Sequence, residues 1–350
     1  MDGYSILSYA CNVGKPAVLA TLVHVEGHSY RKAGASMLLL PDGIKIGSLS
    51  PGCLESDLQE RVGDILHTGE AEHVVYNMRP EEDAVWGEAI GCGGVLRILL
   101  EPMQGCPLEW LAEACSEVEA GAEVELVRYL IGRKIHYEIK SSRVNRSNPI
   151  ASSLAKEKRT ALFSTTFAPR PRLFVFGADD GTVPIARLAG GIGFRVAVGD
   201  WRSSLCYPER FPDAELAIGS PESICASLAI TADDYILICG HQLHKDREML
   251  ERVLPLKPVY LGVMGSKNRI RHLFEGLQDT KDIYAPVGID IGAEGPEEIA
   301  ISITAQLIAV RKDRQRRQGV GSFAYRWDLL GGGTEQENGN SQAFLGACTR

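Results

Sequence analysis

The chain has 350 residues, 45% of them hydrophobic and 23% charged, with 37 basic against 45 acidic side chains and a formal net charge of -8. That length fills two ordinary domains, and the acidic balance argues against general nucleic-acid binding, which favours basic faces. No stretch approaches the roughly 18 apolar residues of a bilayer span, and the leading "MDGYSILSYACNVGKP", with Asp2 and no basic start, does not read as a secretory signal.

In chain order, residues 4–11 predict a short helix. "PAVLATLVHVEG" (16–27) predicts a strand covered on both faces, because its apolar residues run on without alternation. "SMLLLPDGIKIGSLS" predicts a hairpin, 36–40 and 44–49, turned by Pro-Asp-Gly. Residues 54–67 have helical periodicity, with Leu58, Val62, Ile65 and Leu66 inside and Asp57, Glu60, Arg61 and Asp64 outside. Strands at 73–77 and 95–101, a helix at 108–119 and a strand pair at 123–131 and 134–140 complete a first domain over 1–140. The Ser-, Asn- and base-rich segment 141–169 reads as a linker.

From residue 170 the pattern alternates strand and helix: "RLFVFGADDG", "TVPIARLAGGIG", "FRVAVGDWRS", "DYILICGH", "DREMLERVL", "PVYLGVMGS". This predicts an α/β chain whose second domain, 170–312, is a Rossmann-like doubly wound parallel sheet. The long helix "GPEEIAISITAQLIAVRKDR" closes it, with acids at its start and bases at its end. Residues 313–350, with "GGGTEQENGNSQ", read as a disordered tail.

Four places carry chemistry. In "VFGADDG", Gly177 opens a strand-to-helix turn and Asp200 ends the next strand, where dinucleotide folds keep the acid that holds a ribose hydroxyl. Asp179 stands where the second glycine of that fingerprint belongs, and a carboxylate there repels a pyrophosphate. NAD is therefore the weaker cofactor reading. Arg202 follows Asp200 closely and belongs to the same candidate pocket. In "VMGSKNR", Gly265 and Ser266 open a helix whose amides, with Lys267 and Arg269, can hold an anion; a turn glycine with a Ser N-cap is the plain alternative.

The other two places are cysteine loops. The nine cysteines, at 11, 53, 92, 106, 115, 206, 225, 239 and 348, form no CxxC pair and no zinc-type spacing, so reduced thiols of a cytoplasmic protein are expected. "LSPGCLESD" puts Cys53 at a helix start, where the dipole favours thiolate, with Glu55 two residues on. "IGCGGVLRILLEP" strips bulk from around Cys92 with Gly91, Gly93 and Gly94. "HQLHKD" offers His241, His244 and Asp246 loosely as a metal set, although surface histidines are the better reading.

Together with "EGHSYRKAGASMLL", "FPDAE" and "APVGIDIGAEGPEEIAISI", these stretches resemble the XdhC/CoxI family, accessory proteins of molybdenum hydroxylases such as xanthine dehydrogenase. The resemblance runs from about residue 16 to about 311. It implies a small N-terminal α/β domain, a Rossmann-like C-terminal domain, and a homodimeric chaperone that binds molybdenum cofactor, supports its sulfuration and passes it to the apo-hydroxylase. A cysteine desulfurase is an implied partner; nucleic acid and membrane are not. Cys53, Glu55, Cys92 and their glycines match the family, and thiolates suit a soft centre such as molybdenum. Arg31, beside Lys32 in "SYRKAG", is expected to meet the pterin phosphate. The family's Gly-Gly-Cys is Pro51-Gly52-Cys53 here, which stiffens the turn. Two other readings remain: a subunit of a xanthine dehydrogenase complex, and an NAD-dependent oxidoreductase using the Rossmann half.

Overall fold

A computed structural model describes residues 2–78, 94–131, 134–141, 145–147 and 160–317, and divides the chain between Pro169 and Arg170 into two compact units. Among the described residues no helix is long and apolar enough to cross a membrane.

The first unit begins with helix α1 (Asp2–Asn12) and strand β1 (Ala17–Glu26). Strands β2 (Ser36–Leu39), β3 (Lys45–Gly47), β4 (Glu72–Asn77) and β5 (Val95–Met103) join β1 in an antiparallel sheet of order β3-β2-β1-β5-β4. The unbroken apolar run of β1 follows from its central place. Val18, Ala20 and Leu22 face helices α2 (Cys53–Glu60) and α3 (Val62–Thr68), while Ala17 and Leu19 face α1 and helix α4 (Cys106–Glu119). The periodic segment 54–67 is thus two helices that meet at Arg61. Its apolar stripe survives the break, with Leu54, Leu58, Val62 and Ile65 all buried. Arg61 bridges the acids Asp57 (3.3 Å) and Glu72 (2.5 Å).

A second antiparallel sheet, β8-β7-β6-β9, is built from β6 (Val124–Ile131), β7 (Lys134–Ser141), β8 (Asn145–Ser147) and β9 (Thr160–Phe167). The expected linker over 141–169 is corrected here, because β9 pairs with β6 from Val124↔Phe167 to Leu130↔Thr160. Its inward Leu162, Phe163 and Phe167 are buried behind a run of Ser and Thr that masks them in the sequence. A buried ion pair ties the two sheets. Arg128 Nε donates to both oxygens of Glu101, at 3.0 and 3.2 Å, and Tyr137 Oη donates to the same carboxylate at 2.8 Å. Arg128 also donates to Thr165 Oγ1 at 2.9 Å and lies 4.4 Å from the Phe163 ring centre.

The second unit is a parallel sheet of order β12-β11-β10-β13-β14, made of β10 (Arg172–Phe176), β11 (Arg195–Asp200), β12 (Ala214–Ile218), β13 (Tyr235–Ile238) and β14 (Tyr260–Val263). Helices cover both faces. Leu173 and Val175 face α5 (Thr182–Gly191) and the long α9 (Gly295–Arg317). Phe174 and Phe176 face α6 (Pro221–Ser227), α7 (Leu243–Val253) and α8 (Lys267–Phe274). The chain is α/β, with a doubly wound Rossmann-like second half. The strand order reverses direction between β10 and β13, so the crevice at their carboxyl ends is where such a sheet binds ligands.

Candidate functional site

In the first unit the pairing registers decide which loops share an end of the sheet. Thr21 pairs with Ser36, so the loop 27–35 between β1 and β2 leaves from there. Met37 pairs with Gly47, so the Cys53 loop leaves β3 at the same end. Glu26 pairs with Val95 and Val95 with Asn77, so the connection from β4 to β5 departs and returns there as well. Two motif segments therefore leave from one end of the sheet, the one with Arg31 and Lys32 and the one with Cys53, and the strands that precede and follow the Cys92 segment end and begin there too. Cys92, Gly91 and Gly93 lie outside the described residues, as does the side chain of Cys53.

The backbone around these positions explains the residue types. Gly94 packs on the Arg31 loop so closely that a Cβ would lie 2.4 Å from the His28 carbonyl oxygen and 2.7 Å from that of Glu26. No other residue fits. Gly52 caps α2 with φ 133°, a conformation that favours glycine. Cys53 is the first helical residue. Glu55 is buried, and its carboxylate is spent on the loop itself. It accepts from the Leu49 amide (3.1 Å), the Ser50 amide (2.6 Å) and the Ser50 hydroxyl. Ser50 Oγ in turn accepts from the amides of Gly52 (3.2 Å) and Leu54 (3.4 Å). Glu55 is thus placed to position the cysteine loop. Arg31 is half-buried and Lys32 exposed.

In the second unit the crevice is crowded with acids and arginines that pair with one another, while Asp179 Oδ2 and Asp246 Oδ1 are buried with no hydrogen-bond partner among the described residues. Asp200 is fully buried and all its acceptor positions are used. Oδ2 takes the Ala178 amide (2.8 Å) and Arg202 Nη2 (2.9 Å), and Oδ1 takes the Arg202 amide (2.8 Å) and Nε (3.0 Å). Burial alone would raise the Asp200 carboxyl, but these hydrogen bonds outweigh it and hold the group below its ordinary range. The expected ribose acceptor is therefore already occupied by Arg202. The same guanidinium reaches Asp179 Oδ1 at 3.0 Å and lies 4.5 Å from the Trp201 ring centre. His241 Nε2 stands 3.3 Å from Asp179 Oδ2 without the alignment of a hydrogen bond.

Gly177 has φ 110°, and a Cβ there would meet the Gly240 amide nitrogen at 2.8 Å, so the two strand-end loops touch backbone to backbone. Asp246, in sequence only a loose metal candidate, is a crevice acid instead. It is fully buried against Gly240, where a Cβ would be 2.0 Å from its Oδ1. Burial pushes its carboxyl up to about 6, against the opposing pull of Arg269, whose Nη2 donates to it at 2.5 Å. Arg269 also donates to the carbonyls of Gly240 (3.0 Å) and His241 (3.3 Å). Gly265, at φ 150°, makes room for this, since a Cβ would lie 2.8 Å from Arg269 Cδ. Ser266 accepts from the Arg269 amide at 3.3 Å. The expected anion site at "VMGSKNR" is thus an N-cap with an arginine folded inward; Lys267 alone is left exposed of its two cations. His241, His244 and Asp246 do not converge on one point. The one sequence signal for a buried acid behind a Gly-His turn is "CGHQLHKD", and it does not distinguish that acid from a surface one.

Comparison with known proteins supplies the relationship. Residues 10–77 match the XdhC and CoxI family model and residues 173–307 match the XdhC Rossmann domain model. The chain is 34% identical over 310 residues to a probable xanthine dehydrogenase subunit of Bacillus subtilis, covering 85% of this chain and 93% of that one. It is 26% identical over 328 residues to the molybdenum cofactor insertion chaperone PaoD of Escherichia coli, 89% of each. A crystal structure described as a xanthine dehydrogenase from Bacillus halodurans superposes with a TM-score of 0.81 at 34% identity, covering 90% of this chain and 97% of that one. On both units and at near-full length, the chain belongs to the XdhC and CoxI family.

Proposed function

We propose that this protein is a molybdenum cofactor chaperone that holds the cofactor as cargo, protects it, supports its sulfuration and inserts it into a xanthine dehydrogenase-type hydroxylase. The observation that supports this reading is that the Arg31 and Cys53 segments leave one end of the first sheet, where β4 ends and β5, the strand after Cys92, begins. These segments carry residue types that the cargo's chemistry asks for: a guanidinium and an ammonium for a phosphate, cysteines for a soft metal or a sulfur, and glycines where a side chain would intrude. Sulfur transfer from a cysteine desulfurase proceeds through a thiolate, which a helix start favours, and Cys53 occupies one. PaoD's description as an insertion chaperone supports the same reading.

The crevice of the second unit favours a supporting role over redox turnover. With Asp200 saturated and Asp179 beside it, NAD chemistry has neither its ribose acceptor nor its pyrophosphate approach. The Bacillus subtilis relative's description as part of a xanthine dehydrogenase favours a second reading, in which the protein stays bound to the hydroxylase. Mass spectrometry of small molecules released from the native protein tests the first reading; a pterin is the expected finding. Cys53→Ser and Cys92→Ser should each lower pterin and molybdenum retention, and unchanged retention in both removes the thiols from the proposal. Co-purification with active hydroxylase at fixed stoichiometry would favour the second reading.

A further inference from the structure

Two cysteines that sequence spacing leaves apart are brought together in the first unit. Cys11 lies in the last turn of α1, and Cys115 and Glu119 lie four residues apart, on one face of the last turn of α4. One ligand atom from each of the three side chains lies within 4.8 Å of the other two. Cys115 is fully buried, whereas Cys11 and Glu119 are exposed, so one ligand is sealed and the approach is open. Neither helix carries a basic residue in its last turn to offset the negative end of its macrodipole.

We propose that Cys11, Cys115 and Glu119 form a binding site for a borderline-soft divalent cation of the zinc type. Two thiolates and one carboxylate are a three-ligand set that leaves a fourth, tetrahedral position for water or a partner's side chain. The site uses neither Cys53 nor Cys92. Its electrostatics suit a cation: two thiols and a carboxylate meet in one cluster. They do so at the carboxyl ends of two helices, where the dipoles favour positive charge. Binding breaks two S–H bonds, forms two metal–sulfur bonds and releases two protons to solvent, with no change of oxidation state.

The test uses the full chain, reduced, stripped of metal and kept anaerobic. One equivalent of Co2+ should produce thiolate-to-cobalt charge-transfer absorption with d–d bands of tetrahedral intensity. In Cys11→Ser the charge-transfer band should fall to half or less. Zinc competition against a chromophoric chelator should show Glu119→Gln binding at least about tenfold more weakly, a lower bound taken from what loss of an outer-shell partner costs. Both replaced side chains are exposed, so folding is preserved in each variant. Unaltered cobalt spectra in both variants would overturn the site, as would no cobalt absorption in the wild type. Peptide mass mapping that finds Cys11 linked to Cys115 in protein isolated under reducing conditions with zinc would make the pair a disulfide and overturn it equally.

Discussion

The two regions that the sequence marks for chemistry are held in opposite ways. At the loop end of the first sheet, the motif residues sit on backbone turns shaped by glycines, and a single carboxylate, Glu55, is spent on holding one turn. In the crevice of the second unit, acids and arginines neutralise one another: Asp200 with Arg202, Asp246 with Arg269, Asp180 with Arg210 at 2.5 Å. A Rossmann-like sheet thus supplies the crevice without leaving its ribose acceptor open. Fold and ligand capacity separate, and the capacity has to be argued from the side chains.

The sharpest break of this comparison lies at the other end of the same sheet, where Glu101 pairs with Leu19. Removing one charge of a fully buried pair strands the other, at a cost of about 3–5 kcal/mol. Glu101→Gln should therefore loosen the contact between the two sheets of the first unit and leave the crevice unit untouched. A two-unit chain does not yield one unfolding free energy, so hydrogen exchange of β5 and β6 peptides is the measurement. Comparable protection loss in β10 and β13 would show that the units do not unfold separately. Replacing the pair together, Glu101→Leu with Arg128→Met, should recover most of the loss.

Within the crevice, two carboxylates should respond to pH with opposite signs. Asp246 has a folded-state value of about 6 against an ordinary 3.8. The folded form holds that proton more tightly, so stability falls as pH rises from about 4 to about 6. Asp246→Asn does not titrate, so its stability relative to the wild type should climb over that window by roughly 1–3 kcal/mol, at 1.36 kcal/mol per pK unit. Asp200 lies below its ordinary range, and its contribution is present above about pH 4 and lost on further acidification. The relative stability of Asp200→Asn should therefore decline as pH rises through the acid range. Difference profiles of hydrogen-exchange protection in β10 and β13 peptides at each pH, corrected for intrinsic exchange, check both, and parallel slopes would refute the assignment.

Much of this architecture is legible because its causes are local. The unbroken apolar run of β1, the Pro-Asp-Gly turn and the alternation after residue 170 each follow from burial or φ preference acting over a few residues. What escapes depends on distance or on exposure. Strand β12 is a half-exposed edge, with Glu215 and Ile218 facing out, and so lacks a buried strand's signature. Strand β9 hides in a Ser- and Thr-rich stretch whose partner is far back in the chain. Glu101, Arg128 and the Cys11–Cys115–Glu119 group look like stray polar residues until the fold assembles them. At the loop end, glycines and cysteines mark the place, but the role of Glu55 as a clamp emerges only from its hydrogen bonds.

That role gives a milder test of the loop end. Glu55→Gln keeps the shape but removes the charge that the Leu49 and Ser50 amides donate to, at a cost of about 1.5–3 kcal/mol, the scale of hydrogen bonds to charged groups. The loss should be local, appearing as faster exchange of the Leu49 and Ser50 amides and a changed alkylation rate at Cys53. Unchanged exchange at those two amides would mean that Pro51 and the Ser50 cap hold the turn without Glu55.

The smallest expected effect concerns Asp179, which stands where the dinucleotide fingerprint has its second glycine. Its backbone is not among the described positive-φ positions, so glycine there would relieve no strain. Its carboxylate makes one aligned contact, to an Arg202 that Asp200 already holds with two hydrogen bonds. Asp179→Gly should therefore change stability by no more than about 1 kcal/mol, the scale of a partly exposed ion pair. Its consequence should be for binding instead. Removing the negative charge at the turn, while keeping Arg202 on Asp200, opens the approach to a pyrophosphate but not the ribose acceptor. Calorimetric titration with ADP should then show weak binding in Asp179→Gly and none in the wild type, while Asp179→Gly with Arg202→Ala, which uncovers Asp200, should bind more tightly. Equal affinity in the single and double variants would mean that Arg202 does not guard the acceptor, and the crevice would owe its selectivity to shape alone.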